Sequence, residues 1–148
     1  MAEATISSVK ANVIAAFESY IAELKQAAPH WERKPAAGGE GEDAWSARQV
    51  AEHIAGSGPF FAAGIAQAIG VPGPTPAPVS LPDPRDAVVA TEGGHAALMG
   101  VVDQVKDEQL SMPIDHPRLG KQTLGGVIGI VAYHLNDHAG QLKALREA

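Results

Sequence analysis

The sequence predicts an all-α fold, a four-helix bundle with long connections between its helices. Three observations predict it. Four segments carry apolar residues at three- and four-residue spacing, the period of a helix with one buried face, and no segment alternates as a half-buried strand would. Aromatic residues make up only 5% of the chain while alanine abounds, so the core must be built from small aliphatic side chains, which suits closely packed helices. The stretches between the helices are rich in proline, glycine and charge, and residues 71–84 alone hold six of the eleven prolines. At 148 residues the chain is expected to form one domain over residues 1–148, long enough to bury a core without disulfides or a structural metal.

The first helix is expected from about Ala4 to Ala28. Ile6, Val9, Val13, Phe17, Tyr20 and Leu24 form its apolar stripe, and Pro29 ends it. Residues 29–44 form a linker whose most flexible part is "PAAGGEGED". The second helix has the best-marked start. In "WSARQVAEHIAG", Ser46 and Gln49 fit a capping box, each side chain satisfying a free backbone N–H of the first turn. Trp45 and Val50 fit a hydrophobic staple across the same turn. Val50, His53, Ile54 and Ser57 share one stripe; "GSGP" at 56–59 should bend or break the helix before it continues to about Ile69.

"VPGPTPAPVSLPDP" at 71–84 reads as a semi-rigid extended connection. At roughly 3.3 Å per residue it can travel the length of a bundle. The third helix starts near Asp83 with Pro84 at its first position. Its expected inner face carries Val88, His95, Leu98, Met99, Val102 and Val105, and Gly93 and Gly94 weaken its middle by roughly 1 kcal/mol each relative to Ala. After the polar loop "KDEQLSMPIDHPRLGKQ" the fourth helix starts near Thr123, with Leu124, Val127, Val131, Leu135, Leu142 and Leu145 on its buried stripe.

Composition excludes several functions. With no cysteine there are no disulfides, zinc ribbons or thiol nucleophiles. The net charge is −6 and no block of Lys or Arg stands out, so no nucleic-acid partner is expected. No apolar run is long enough to cross a bilayer, and "MAEATISSVK" does not read as a targeting leader, so no membrane partner and a cytoplasmic location are expected.

The histidines carry the chemistry. His134 and His138 are four residues apart on the apolar stripe of the fourth helix, and His53 lies on an inward face of the second. Residues at i and i+4 stack about 6 Å apart at Cβ, so two imidazoles there can reach one cation. Three inward imidazoles from two helices read either as a metal site or as hydrogen-bonded core side chains. Other metal chemistries fail on particular residues. A zincin protease needs Glu after the first histidine, where Leu135 stands. A di-iron bundle needs two Glu-x-x-His pairs, and only Glu92 with His95 exists. There is no Walker loop and no Gly-x-Ser-x-Gly elbow. Glu92 and His95 are expected to face inward on their glycine-broken helix, with His95 a candidate for a further ligand. His30 and His116 are expected to face solvent without a role. No general base is evident beside the three histidines, so catalytic residues are unassigned.

"WSARQVAEHI" at 45–54 resembles the segment around the first metal-binding histidine of the DinB/YfiT-like family, and "GKQTLGGVIGIVAYHLNDHAGQL" at 120–142 resembles that family's last helix. The order of helices and linkers is similar too. The resemblance implies a DinB-type four-helix bundle holding a divalent metal through His53, His134 and His138, with Gln141 orienting a ligand or holding a water, and pairing as a homodimer. It also implies a metalloenzyme acting on a small-molecule substrate, a transferase or hydrolase, with a low-molecular-weight thiol as cosubstrate. Imidazole ligands suit zinc, nickel, iron and copper. The alternative is a non-catalytic bundle, stapled by metal or free of it, acting as a dimeric binding module.

Overall fold

The computed structural model describes residues 5–36, 38–116 and 118–148. It contains four helices, α1 (Ile6–Gln26), α2 (Ala47–Ile69), α3 (Pro84–Val102) and α4 (Leu124–Glu147), and a hairpin of β1 (Pro113–His116) and β2 (Gly120–Thr123). Ala4, the expected first residue of the first helix, lies outside the described residues, as do Ala37 in the first linker and Pro117 in the polar loop.

Local chemistry sets the helix starts. Thr5 and Ser8 form a reciprocal capping box at α1, and Ser46 and Gln49 form the expected one at α2. The Asp83 carboxylate accepts the Arg85 N–H at α3, where Pro84 needs no partner for its missing donor. The Thr123 hydroxyl accepts the Gly126 N–H at α4. At the other end of α2, Gly70 adopts a left-handed conformation (φ 73°) that closes the helix.

Helix α1 packs along α4 and α2 along α3, with α2–α4 and α1–α3 contacts closing the bundle. The first two are parallel neighbours. Their C-terminal ends are joined by the Arg146–Glu23 pair at 2.8 Å, and their N-terminal ends meet the same segment, where Asp107 accepts the Ile6 N–H and the Leu110 carbonyl accepts the Gly125 N–H. With the first and last helices parallel, the connections between consecutive helices cannot all be reversing turns, so at least one must run the length of the bundle. The core between them is aliphatic: Val13, Leu24, Val50, Ile65, Leu124, Ile128 and Leu142 are almost fully buried, with Tyr20 among them. On α3 the buried face is Ala87, Thr91, Leu98, Val101 and Val102. Val88, His95 and Met99 are only half-buried, and Glu92, expected to face inward, is exposed.

Two expectations about the backbone, a break at "GSGP" and a polar loop without strands, are overturned. "GSGP" does not break α2, which runs unbroken through Pro59. The reason lies in the neighbouring helix. A Cβ at Gly58 would come within 3.2 Å of the Gly94 carbonyl, and one at Gly94 within 3.2 Å of Pro59 and 3.4 Å of the Ala55 carbonyl. The two glycines let α2 and α3 touch backbone to backbone, and that close packing outweighs the hydrogen bond Pro59 forfeits. The polar loop, expected to hold no strand, folds partly as the hairpin, with Ile114 opposite Gln122 and His116 opposite Gly120. Gly120 supplies the positive φ of its turn.

The proline-rich connection is extended as expected, and it is pinned. The Trp31 indole N–H donates to the Leu81 carbonyl at 2.9 Å, and the Leu81 N–H donates to Glu52 at 2.7 Å. It thus lies as a strap across α2.

Candidate metal centre

The stripe of α4 and the capped start of α2 bring His53, His134 and His138 together. Their Nε2 atoms converge: His53 to His134 is 2.8 Å and His134 to His138 is 3.2 Å. A tetrahedral cation holding nitrogens at about 2.0–2.1 Å spaces them roughly 3.3 Å apart. The three rings meet edge to face, with centroids 4.6–5.0 Å apart. His138 is 2% exposed, while His53 and His134 are half-buried. The group is compatible with a divalent metal.

Gln141 does two things. Its Oε1 lies 2.8 Å from His138 Nδ1, and its amide nitrogen donates to the Glu42 carbonyl at 2.6 Å. With the amide nitrogen so engaged, Oε1 faces the ring as an acceptor, Nδ1 carries the proton, and the Nε2 lone pair of His138 is left pointing at the centre.

Electrostatics favour the neutral form of His134 and His53. Burial and the neighbouring His138 and His53 push His134 down to about 4. Burial, then His138, also lowers His53; the Arg118 guanidinium adds to this and Glu42 opposes it. Neutral imidazoles are what a cation requires.

Three residues at the site were not anticipated. Glu42, in the linker read as flexible, sits on a short 3-10 turn with its Oε1 3.5 Å from His138 Nε2 and 3.8 Å from His53 Nε2. Trp45 places its ring 5.1 Å from that of His53 and 6.3 Å from that of His138, flanking the centre. Arg118, in the hairpin turn, holds its guanidinium over Phe60 at 5.3 Å and borders a cleft of about 260 Å³. His53, Phe60, Glu52 and the strap residues 76–79 complete that cleft. The only hint of Glu42 in the sequence is an acidic residue three positions before Trp45, and no periodicity says that its loop folds back.

The remaining histidines lie apart from this group. His95 stacks flat on Phe17, 3.7 Å between centroids, and it lines a cavity of about 20 Å³ behind His134, room for a single water. His116 is not solvent-facing: it is 9% exposed, its Nδ1 accepts the Arg118 and Leu119 N–H groups, and its ring packs against Phe60 and Phe61. The turn needs an acceptor for two free donors, and the ring covers the apolar side. His30 is not fully exposed either. Its Nε2 is buried, and burial together with Arg33 and Arg146 lowers its pKa.

Fold and site together define a class, a four-helix bundle that gathers three histidines from two of its helices. The chain belongs to the DinB superfamily, whose profile matches residues 11–142. A solved structure described as TT2238, a four-helix bundle protein, shares the fold with a TM-score of 0.69 and 24% identity, over 95% of this chain and 99% of that one. No curated protein matches the sequence. No described helix is long and apolar enough to cross a membrane.

Proposed function

We propose that this protein is a metal-dependent enzyme that binds a divalent ion, zinc, nickel or iron, through His53, His134 and His138, and uses a low-molecular-weight thiol as cosubstrate. The observation that carries the reading is the convergence of three Nε2 atoms beside an open cleft. A bound divalent ion acidifies a coordinated thiol or water and polarises a substrate oxygen. In the transfer, the thiol sulfur bonds to an electrophilic carbon, its proton passes to solvent, and the displaced group leaves with its bonding pair.

The chain's own residues supply binding and orientation. Gln141 fixes the His138 ring, and Trp45 and Phe61 keep the centre partly dry. His53 forms both part of the histidine group and part of the cleft wall. Arg118 makes no ion pair among the described residues, whereas Glu52 in the same cleft is already bonded to Arg48 and to the Leu81 N–H. The cleft therefore presents a net cationic rim and suits a small substrate bearing a carboxylate or similar anion. Elemental analysis of untagged protein, beside His53→Ala and His134→Ala, tests the reading. About one metal per chain, lost in both variants, is expected; no metal in the wild type and no uptake of added zinc, nickel or iron would overturn it. With metal in place, thiol-dependent turnover of electrophiles is the assay, and Arg118→Ala is expected to raise KM for anionic substrates.

A second reading has one specific support. Gln141 also ties the 41–44 turn to α4, so an ion at this centre would staple the linker and two helices together. That reading predicts a large rise in melting temperature on metal binding and no thiol chemistry. Pairing into homodimers is a further expectation of the family, read by sedimentation velocity.

A further inference from the structure

We propose, building on the three-histidine reading, that Glu42 is a fourth, detachable ligand of the same ion. Its Oε1 lies 3.5 Å and 3.8 Å from two of the three nitrogens, close to the roughly 3.3 Å edge of a tetrahedral ligand set. The backbone that carries it is held from two sides: the Glu42 carbonyl accepts the Gln141 amide at 2.6 Å and the Trp45 N–H at 3.2 Å. The approach to that turn depends on glycine. Gly38, Gly39 and Gly41 all have positive φ, and a Cβ at Gly39 would press on the Asp43 backbone at 3.2 Å. One amide therefore sets two ligands at once, orienting the His138 ring through its oxygen and the Glu42 turn through its nitrogen.

The side chain, unlike its backbone, is loosely held. It is 57% exposed, and its ion-pair partners among the described residues are the two histidines. A carboxylate in that position can close the coordination of a resting ion and leave when a substrate oxygen or sulfur enters. Three imidazoles alone give a +2 centre; with Glu42 bound the net charge is +1, which favours holding the metal until an anionic ligand displaces the carboxylate.

Cobalt(II) tests this, because a four-coordinate ion absorbs visible light much more strongly than a six-coordinate one. Wild type, Glu42→Ala, Glu42→Gln and His134→Ala would be titrated with cobalt at neutral pH, with affinity from calorimetry and geometry from the spectrum. Folding is not at risk in the Glu42 variants, since the side chain is exposed and the anchoring bonds are backbone ones. The expected result is an intense spectrum and one ion per chain in wild type, with affinity about tenfold weaker and a bleached spectrum in Glu42→Ala. Glu42→Gln should fall between wild type and Glu42→Ala. Unchanged affinity and spectrum in both Glu42 variants, with binding still lost in His134→Ala, would overturn the fourth ligand and leave the histidine site standing. Failure of wild type to bind cobalt would overturn both.

Discussion

Five of the six histidines meet two fates in this molecule. At the junction of α2 and α4, three imidazoles turn their Nε2 atoms toward one another, so that their nearest nitrogen partners there are each other. Elsewhere an imidazole meets something that satisfies or covers it: His116 accepts two backbone N–H groups, and His95 lies flat on Phe17. Residue type is the same and burial is similar, since His116 and His138 are both buried. What differs is the direction of the nitrogens. A histidine whose nitrogen is used by backbone is part of the fold. A set whose nitrogens converge costs the fold something, because the nitrogens crowd and protonation of His134 and His53 is disfavoured. Such an arrangement is expected where a ligand compensates.

Substituting across the two groups breaks or sharpens this contrast. The largest effect is expected at the centre: His134→Ala should weaken metal binding by more than about 100-fold, exceeding the loss typical of an outer partner. His95→Ala and His116→Ala should leave the affinity within about twofold. Calorimetric titration of the four proteins measures it, and equal losses from His116→Ala would erase the distinction.

Stability should reverse the ranking. His116→Ala leaves two turn N–H groups without their acceptor and removes a ring packed on Phe60 and Phe61, a cost of about 1–3 kcal/mol in urea unfolding of the metal-free protein. His134→Ala, which relieves crowded nitrogens, should cost less than His116→Ala under the same conditions. A larger loss from His134→Ala would mean that the cluster holds the fold together without metal.

Acid gives a third separation. The folded His134 titrates at about 4, against roughly 6.5 for an unfolded histidine. Between those values the unfolded chain binds a proton that the folded site refuses, so stability rises with pH through the window and is lost as pH falls from about 6.5 toward 4. His53 is shifted in the same direction and adds to it. Urea midpoints of metal-free wild type at pH 7, 5.5 and 4.5 should fall more steeply than those of His134→Phe. Bound metal should leave as protons compete for the same lone pairs, and retention at pH 4.5 would contradict imidazole ligation.

The sequence carried the bundle and the three histidines because both are periodic. The α4 stripe predicted six buried residues, and all six are buried. His134 and His138 fall one turn apart, so adjacency followed from helix geometry alone, and Ser46 with Gln49 located α2 to within a residue. What was not legible depends on contacts between distant segments. Pro59 reads as a break until Gly94, 35 residues on, is seen to fit against it. The hairpin strands are four residues each and mostly polar, so no alternation marks them. Glu42 sits in a glycine-rich stretch whose local composition says only that it is not helical, and its place depends on Gln141, 99 residues away.

The smallest effect concerns polar groups with neither fate. The Tyr20 hydroxyl is buried in the core and has no hydrogen-bond partner among the described residues, and burial raises its pKa well above the usual phenol value. It differs from the histidine cluster in having no second lone pair converging on it, and from His116 in having no backbone donor to satisfy. A lone buried hydroxyl is a net cost that the packing of the ring outweighs. Removing the oxygen while keeping the ring should therefore leave stability unchanged or raise it by up to about 1 kcal/mol. Urea unfolding of Tyr20→Phe measures this against wild type. A loss of more than about 1 kcal/mol would show that the hydroxyl bonds a buried water, and would move Tyr20 into the same group as His116.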